Sequence, residues 1–294
     1  MADNYAHQHN ARNAIKIAGY TPRDMDSFIM GANGPDPLFC YQMYNPVRKH
    51  NLSRLGTLMH NEKTGLFLKN LFRLAATDSQ KDYCLGFLCH YSLDSTLHPY
   101  VSFVTDSYGS PFNIPSGHGY FESALDSKIS MDETGQPAAR VDMYCPELDK
   151  MTLNQITSLF KKAVDATYPD HRYPQSEYIL AFRDFRFIKG FFHSPSKGKF
   201  IPAYMVEKVL GFKEGFVMSH MQPCVRELPV FPFWQNPATG LFSVETLDNI
   251  LLRADYLAAE CINIGLEYFK GTYTLGDLLE DIGNKSYETG VVID

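Results

Sequence analysis

The chain has 294 residues, of which 45% are hydrophobic and 14% aromatic, and this composition supports a packed core and excludes a disordered chain. Its formal net charge is -6, and no basic face suited to many nucleic-acid phosphates is visible, which excludes extended nucleic acid as a partner. A small phosphate ester stays possible, because a buried metal site could supply local positive charge.

Helical periodicity dominates the chain. A first helical stretch over 11–19 ends at a glycine, and Thr21-Pro22 is typical of a helix N-cap followed by proline, which predicts a helix that ends at Ile29. A long, largely buried helix is predicted over 79–98, stopping before Pro99. The other predicted helices cover 64–76, a segment beginning near 118, 148–168, 175–183, 204–210 and 243–269.

Strand signals are scarce. Phe185–Phe192 is the best strand candidate, and the link over 222–240, rich in proline and aromatic residues, is expected to be an ordered crossover. Without repeats or low-complexity tracts, the patterns predict an all-α fold in a single domain over 1–294, with a helical C-terminal half over 148–294. The chemistry-bearing motifs fall within 7–122.

Segments that would direct or anchor the chain in a membrane are not visible in the sequence. The N-terminus lacks the apolar region of a secretory signal, and no run approaches the roughly 18 apolar residues of a membrane span. The cysteines lack CxxC spacing, so free thiols in a reducing cytoplasm are expected. They are Cys40, Cys84, Cys89, Cys145, Cys224 and Cys261.

The sharpest chemical feature is His90-Tyr-Ser-Leu-Asp94. Residues four apart on a helix project from one face, so this imidazole and carboxylate can close on one ion, and His98 lies one turn further along. The surrounding helix is apolar, and a buried Asp94 without a partner would be costly. That cost favours a bound cation.

A second pair with the same spacing is His118-Gly-Tyr-Phe-Glu122. Nitrogen and oxygen donors of this kind suit Zn²⁺. Taken alone, either pair is explained as well by a surface ion pair or a capping contact. Two such pairs within about thirty residues favour a metal site.

Three further candidates lie upstream. Asp36 is held between Pro35 and Pro37, although an ordinary turn explains that pattern better when it is taken alone. His60 is either a ligand or a helix-end histidine, and His7 falls just before the first predicted helix or in an exposed polar terminus. The other histidines are interpreted as structural or solvated.

Taken in order, these motifs resemble the zinc-dependent phospholipase C family, whose fold is shared with single-strand-specific zinc nucleases. The order is a histidine before a helix, an aspartate in a proline-flanked turn, a histidine, then His-x-x-x-Asp with a later histidine, then His-x-x-x-Glu. The phrase over 234–240, leading into a long helix, also resembles bacterial members.

The resemblance implies two or three zinc ions in one cleft. One site would use Asp36, His60, His90 and Asp94, and a second would use His98, His118 and Glu122. A third ion would take His7 and a bridging Asp94, with an N-terminal amine, here that of Ala2, as a further ligand. Asp36 would also be the general base that orients or deprotonates the attacking water.

The resemblance further implies hydrolysis of a phosphate diester, either a phospholipid or a smaller ester, with transient contact to a membrane surface and no obligate protein partner. The aromatic positions with which the family's lipases bind choline hold Pro37 and Thr57 here. One alternative is a nuclease or nucleotidase that stacks a base on Tyr108, Phe112 or Tyr120. Another is a non-catalytic protein whose helices zinc merely holds together.

Overall fold

The computed structural model describes residues 4–45, 47–139, 146–224 and 226–293, and within these ranges the fold is all-α, as predicted. A single turn of 3-10 helix covers Met218–His220, and the strands β1 (Trp234–Gln235) and β2 (Phe242–Ser243) form a short antiparallel hairpin. The helices are α1 (Asn4–Ala18), α2 (Met25–Ala32), α3 (Pro37–Cys40), α4 (Leu52–Asn61), α5 (Thr64–Leu74), α6 (Asp78–Asp106), α7 (Gly117–Thr134), α8 (Lys150–Thr167), α9 (Gln175–Phe192), α10 (Phe200–Val209), α11 (Leu247–Lys270) and α12 (Leu275–Ile282).

The long helix α6 is the central element, and it does not stop before Pro99. It runs on to Asp106 with the proline inside, so the predicted end was wrong. A proline within a helix removes one hydrogen bond to the carbonyl four residues earlier, here that of Ser95. Gly290 packs against this position, since a Cβ added to it would lie 2.4 Å from the Ser95 carbonyl oxygen. Pro99 is buried beneath this glycine, and the close packing accompanies a helix that stays continuous through the proline.

Helix α2 lies unusually close to α6, and two glycines allow it. A Cβ on Gly31 would lie 2.2 Å from the backbone oxygen of Tyr83, and one on Gly86 would lie 1.9 Å from that of Phe28. Both distances are far below van der Waals contact, so neither position accepts a side chain without separating the helices. This contact fixes where the turn after α2 begins.

Two apolar clusters share α6. One packs against its first half, up to Tyr91, and includes residues of α2, α5, α8, α9 and α11. The other begins at Leu93 and includes residues of α7, Trp234 and the start of α11. The polar residues His90 and Asp94 lie at the junction of the two clusters. The fold thus places the candidate ligands where its two cores meet.

Two helix starts differ from the sequence prediction. Helix α1 begins at Asn4, so His7 lies within the helix rather than before it. Helix α2 begins at Met25, because the carboxylate of Asp24, not Thr21, accepts a hydrogen bond from the backbone N–H of Ser27 and caps the helix. Local capping strength decided this boundary.

The predicted strand over 185–192 is the second half of α9. Its aromatic and aliphatic residues are spaced three or four apart, and Phe182, Phe185, Ile188 and Phe192 are all buried, which is the period of a helix face. The hairpin around Trp234 was not predicted. Cys40, Cys84, Cys89, Cys224 and Cys261 are free thiols, as expected, and Cys145 lies outside the described residues.

Candidate metal centre

The turn that carries Asp36 passes directly over the ring of His90. Gly34 in this turn has a φ of +51°, and a Cβ there would lie 2.2 Å from the imidazole. Glycine is needed for both reasons, because a side chain would clash and would strain the left-handed backbone. Asp36 follows as the first residue before α3 and is 3% exposed. The turn therefore directs its carboxylate inward, beside the histidines.

His60 is oriented by its own helix. Its Nδ1 lies 2.8 Å from the carbonyl oxygen of Gly56, which makes Nδ1 the protonated donor and leaves Nε2 as the acceptor. That Nε2 is 3.4 Å from Asp36 Oδ1 and 3.5 Å from Asp94 Oδ2. The ring is fully buried. Its backbone carbonyl accepts a hydrogen bond from the N–H of Tyr287, so the C-terminal segment closes over this histidine.

Helix α6 presents His90, Asp94 and His98 along one face, as their spacing predicted. All three are completely buried. The carboxylate of Asp94 lies 3.2 Å from His90 Nε2 and 3.8 Å from His98 Nε2. It also lies 3.5 Å from His7 Nε2. Asp94 is thus the residue that joins the different parts of the cluster.

His7 reaches the cluster because α1 is tied to α7 at its first turn. The carboxylate of Asp126 accepts hydrogen bonds from the backbone N–H groups of Tyr5 (3.0 Å) and Ala6 (2.8 Å). His7 then lies 3.5 Å from Asp36 Oδ2, and its ring stacks on that of His90 with centroids 4.6 Å apart. The alternative of an exposed N-terminal histidine is wrong.

Replacing Asp126 with asparagine is expected to lower the free energy of unfolding by about 1–3 kcal/mol, because the amide leaves one buried N–H of α1 without an acceptor. Urea denaturation measures the loss. Asp132 on the same helix is exposed and pairs with Lys128 at the surface, so Asp132→Asn is the matched control and should change the unfolding free energy by less than about 0.5 kcal/mol. Equal effects of the two substitutions would contradict the assigned role of Asp126.

The second predicted pair stands beside the first group. His118 Nε2 lies 2.8 Å from Glu122 Oε1, and His98 Nε2 lies 3.6 Å from the same oxygen. His98 and Glu122 are buried, whereas the His118 side chain is 35% exposed. The cluster is therefore accessible from outside at the His118 end.

The buried donor atoms lack hydrogen-bond partners to a degree unusual for a protein interior. The described residues with such side-chain atoms include His7, Asp36, His60, His90, Asp94 and His98. Native structures satisfy the great majority of buried polar groups, so a concentrated set needs a cause. Three carboxylates buried among five histidines also call for positive charge. A group of cations meets both requirements.

The spacing of the atoms agrees with this interpretation. The possible ligand atoms form three groups, and within each group they lie within 4.8 Å of one another. The groups are His7, Asp36 and His90; His60, His90 and Asp94; and His98, His118 and Glu122. Donors about 2.1 Å from a tetrahedral zinc ion lie about 3.4 Å apart. Most of the nitrogen–oxygen distances given above, 3.2–3.8 Å, are close to this value. The nitrogen and oxygen donors present are compatible with zinc. Ala2, whose amine was expected as a further ligand, lies outside the described residues.

A narrow cleft of about 110 Å³ opens on the cluster and brings in residues that no motif had selected. Asp36 and Glu122 contribute to its wall, as do Lys189, His220 and Phe192. Burial lowers the pKa of Lys189 to about 7, and burial together with the nearby Lys189 lowers the pKa of His220 to about 4. A larger cavity, about 690 Å³, lies elsewhere, beside α8 and α9, and none of the cluster's residues line it.

Aromatic residues proposed for base stacking are not positioned alike. Phe112 is completely buried in the core and cannot stack on a ligand. Tyr120 is partly covered by the guanidinium of Arg226, 4.2 Å from its ring centre, and Tyr108 is fully exposed. Of the three, only Tyr108 offers a free ring face.

The residues described so far define a class of protein: an all-helical molecule in which histidines and carboxylates from four helices and one turn form a buried cluster open at one end. A family model described as zinc dependent phospholipase C matches residues 6–195. The match covers well over half of the chain, so the protein belongs to the zinc-dependent phospholipase C family. No curated protein and no solved structure gives a match.

Proposed function

We propose that this protein hydrolyses a phosphate diester, most directly a phospholipid, using water activated at a zinc cluster. One observation carries the proposal. Candidate ligand atoms from five separate stretches of chain come together at a place accessible from outside, and many of these atoms are buried without hydrogen-bond partners. Membership of the family supports a lipid substrate. Asp36 and Glu122, from different groups of ligands, both face the same cleft, so one phosphate in the cleft could contact both parts of the cluster.

The proposed ligand sets are those that the family resemblance implies, and they differ from the groups of atoms mainly in one respect: Asp36, which lies 3.4 Å from His60 Nε2, is assigned to the ion of His60 instead of that of His7. One ion would be held by Asp36, His60, His90 and Asp94, a second by His98, His118 and Glu122, and a third by His7 and Asp94. When bound, zinc lowers the pKa of water and stabilises negative charge on the phosphate.

Within this site the chain's own residues have distinct tasks. Asp36 would accept the proton of the attacking water, and its place in the wall of the cleft supports that role. The turn at Gly34 fixes the direction of this carboxylate, and the His60 Nδ1 contact with Gly56 fixes the adjacent imidazole. Tyr287 is buried with its ring against the rings of both His60 and His90, and it excludes water from that side.

The cleft also bears on the substrate's head group. Lys189 lies in the wall of the cleft, and in its protonated form it would repel a fixed quaternary ammonium. No aromatic residue stands at positions 37 or 57, which hold a buried proline and an exposed threonine. We therefore infer that the preferred head group is anionic or neutral and that choline is disfavoured.

Two other functions are less well supported. A purely structural zinc site normally saturates the metal with protein ligands, often thiolates. No cysteine belongs to the groups of ligand atoms found in the described residues, and His118 is accessible. A nuclease would require exposed stacking rings at the cleft, and of the three candidate rings only that of Tyr108 is free.

Metal content and substrate preference together test the proposed function. Protein purified without added metal is expected to contain two or three equivalents of zinc by elemental analysis. Turnover should be greatest with micellar phosphatidylglycerol, lower with phosphatidylcholine and with bis-nitrophenyl phosphate, and lowest with a short single-stranded oligonucleotide. Prolonged chelation should abolish all activity, and zinc should restore it.

Three results would contradict the proposal. If the isolated protein is folded but contains no metal, the proposed zinc cluster is wrong. If the protein contains zinc but cleaves none of the esters, the structural role of zinc is favoured. Faster cleavage of the oligonucleotide than of either lipid would favour the nuclease.

A further inference from the structure

Helix α10 has an unusual distribution of exposed residues. Of its ten residues only Ala203 and Glu207 are buried, while Ile201 is 76% exposed, Met205 53% and Val209 74%. These three residues are spaced four apart and form an apolar stripe along one side of the helix. Exposed apolar residues occur singly on most protein surfaces, but a continuous stripe indicates a surface that meets a partner.

The apolar surface continues into the turn after the helix. Leu210, Phe212 and Phe216 are 63%, 41% and 42% exposed, and the two phenylalanine rings lie 4.8 Å apart. The buried carboxylate of Glu207 accepts hydrogen bonds from the backbone N–H groups of Gly215 and Val217. The turn is therefore held in place, with its rings outward. We call residues 196–216 the α10 surface.

The α10 surface differs in charge from the protein as a whole. Residues 196–216 contain four lysines, at 197, 199, 208 and 213, and all four are exposed. They contain two glutamates, of which Glu207 is buried and bonded to backbone N–H groups. The whole chain carries a net charge of -6. Apolar side chains flanked by lysines suit the boundary between the head groups and acyl chains of an anionic bilayer.

The position of the α10 surface relates it to the candidate metal centre. The hydroxyl of Ser116 donates a hydrogen bond to the carbonyl oxygen of Glu214, at 3.2 Å. Gly215 packs so closely on Tyr120 that an added Cβ would lie 2.6 Å from the ring. The turn thus contacts the start of α7, which carries His118, the most accessible of the candidate ligands. A lipid leaving the bilayer at this surface would have a short path to the cluster.

We propose that the α10 surface docks on an anionic phospholipid bilayer and presents the open end of the metal centre to its head groups. This proposal rests on the proposed function, but it concerns adsorption, which is measured without turnover. No helix within the described ranges is long and apolar enough to cross a membrane. Adsorption that depends on the four lysines of this surface would be sensitive to salt.

The test is sedimentation with vesicles of phosphatidylcholine alone or mixed with phosphatidylglycerol. The zinc-loaded wild-type protein is expected to bind the mixed vesicles and to release them at high salt. The variant carrying Ile201→Ser, Met205→Ser and Val209→Ser is expected to bind at least about tenfold more weakly. Circular dichroism and urea unfolding verify that it folds, which is expected because the three side chains are exposed.

The hairpin region offers a matched control. Val230, Leu241 and Val244 are 91%, 70% and 81% exposed, so replacing all three with serine removes a similar apolar surface away from α10. This control should bind the mixed vesicles as the wild type does. If the control loses binding while the α10 variant keeps it, the hairpin is the lipid-binding surface and the proposal is overturned.

Two further measurements separate the remaining explanations. With a water-soluble nitrophenyl diester the α10 variant should keep its turnover within about twofold, whereas on mixed vesicles turnover should fall in step with binding. If the wild type does not cleave the ester, this result counts against the proposed function. The vesicle-binding measurement would still decide the role of the α10 surface. The wild type could instead form a dimer that the α10 variant does not form, with no binding to vesicles. Light scattering would then show that the α10 surface binds a second copy of the chain, and the proposal would be overturned.

Discussion

Replacing Asp94 with asparagine is expected to remove at least one equivalent of zinc and to lower turnover by on the order of a thousandfold or more. Its carboxylate oxygens lie 3.2–3.8 Å from the Nε2 atoms of four histidines. An amide has nearly the same size but lacks the negative charge and one of the two acceptor oxygens. Elemental analysis and steady-state kinetics of the same preparation measure both effects.

A matched control is available in Asp255, a largely buried carboxylate on α11. It accepts hydrogen bonds from the side-chain amides of Asn10 and Asn13, each at 2.8 Å, and lies outside every group of candidate ligands. Asp255→Asn is expected to reduce stability but to keep the full zinc content and turnover. An Asp94→Asn protein that retains its zinc would remove Asp94 from the proposed ligand set.

The second large effect is expected at Asp36, where the substitution should separate catalysis from metal binding. Asp36→Asn is expected to lower turnover by roughly 10²–10⁴-fold, the usual contribution of a general base. The zinc content should fall by no more than one equivalent, since Asp36 belongs to only one of the three proposed ligand sets. The measurement is kcat together with zinc stoichiometry and the free energy of unfolding.

The same variant distinguishes an enzyme from a zinc-stabilised scaffold. Loss of turnover in a folded protein that still carries zinc supports the role of Asp36 as base. Loss of all zinc with unfolding, in a protein whose wild type shows no turnover, would support the structural alternative. Unchanged turnover would show that another group accepts the proton.

Helical periodicity explains why part of the site could be predicted from the sequence. His90 with Asp94, and His118 with Glu122, are each four residues apart, and any helix that contains such a pair places both side chains on one face. The buried position of Asp94 also follows from its apolar neighbours. The structure agrees on both points, with contacts of 3.2 Å and 2.8 Å.

Other features could not be predicted, because they depend on contacts between distant segments. Lys189 and His220 lie in the cleft only because α9 and the 3-10 helix pack beside Asp36 and Glu122. Tyr287 covers His60 although more than two hundred residues separate them in the chain. No local spacing carries this information. The end of α6 was wrongly predicted for the same reason, since packing around Pro99 outweighed its local tendency to end a helix.

The sequence by itself determined the all-α fold, the helical pairs of candidate ligands and the resemblance to a zinc-dependent phospholipase C, since each depends on residue order or on a period of 3.6 residues. Only the tertiary structure decided that His7, Asp36 and His60 meet the residues of α6, that the cluster opens at His118, and which turn contacts the start of the helix that carries His118. Close packing of α2 on α6 and the tie between Asp126 and the start of α1 bring these parts together. Both are long-range contacts whose free energy exists only in the folded chain.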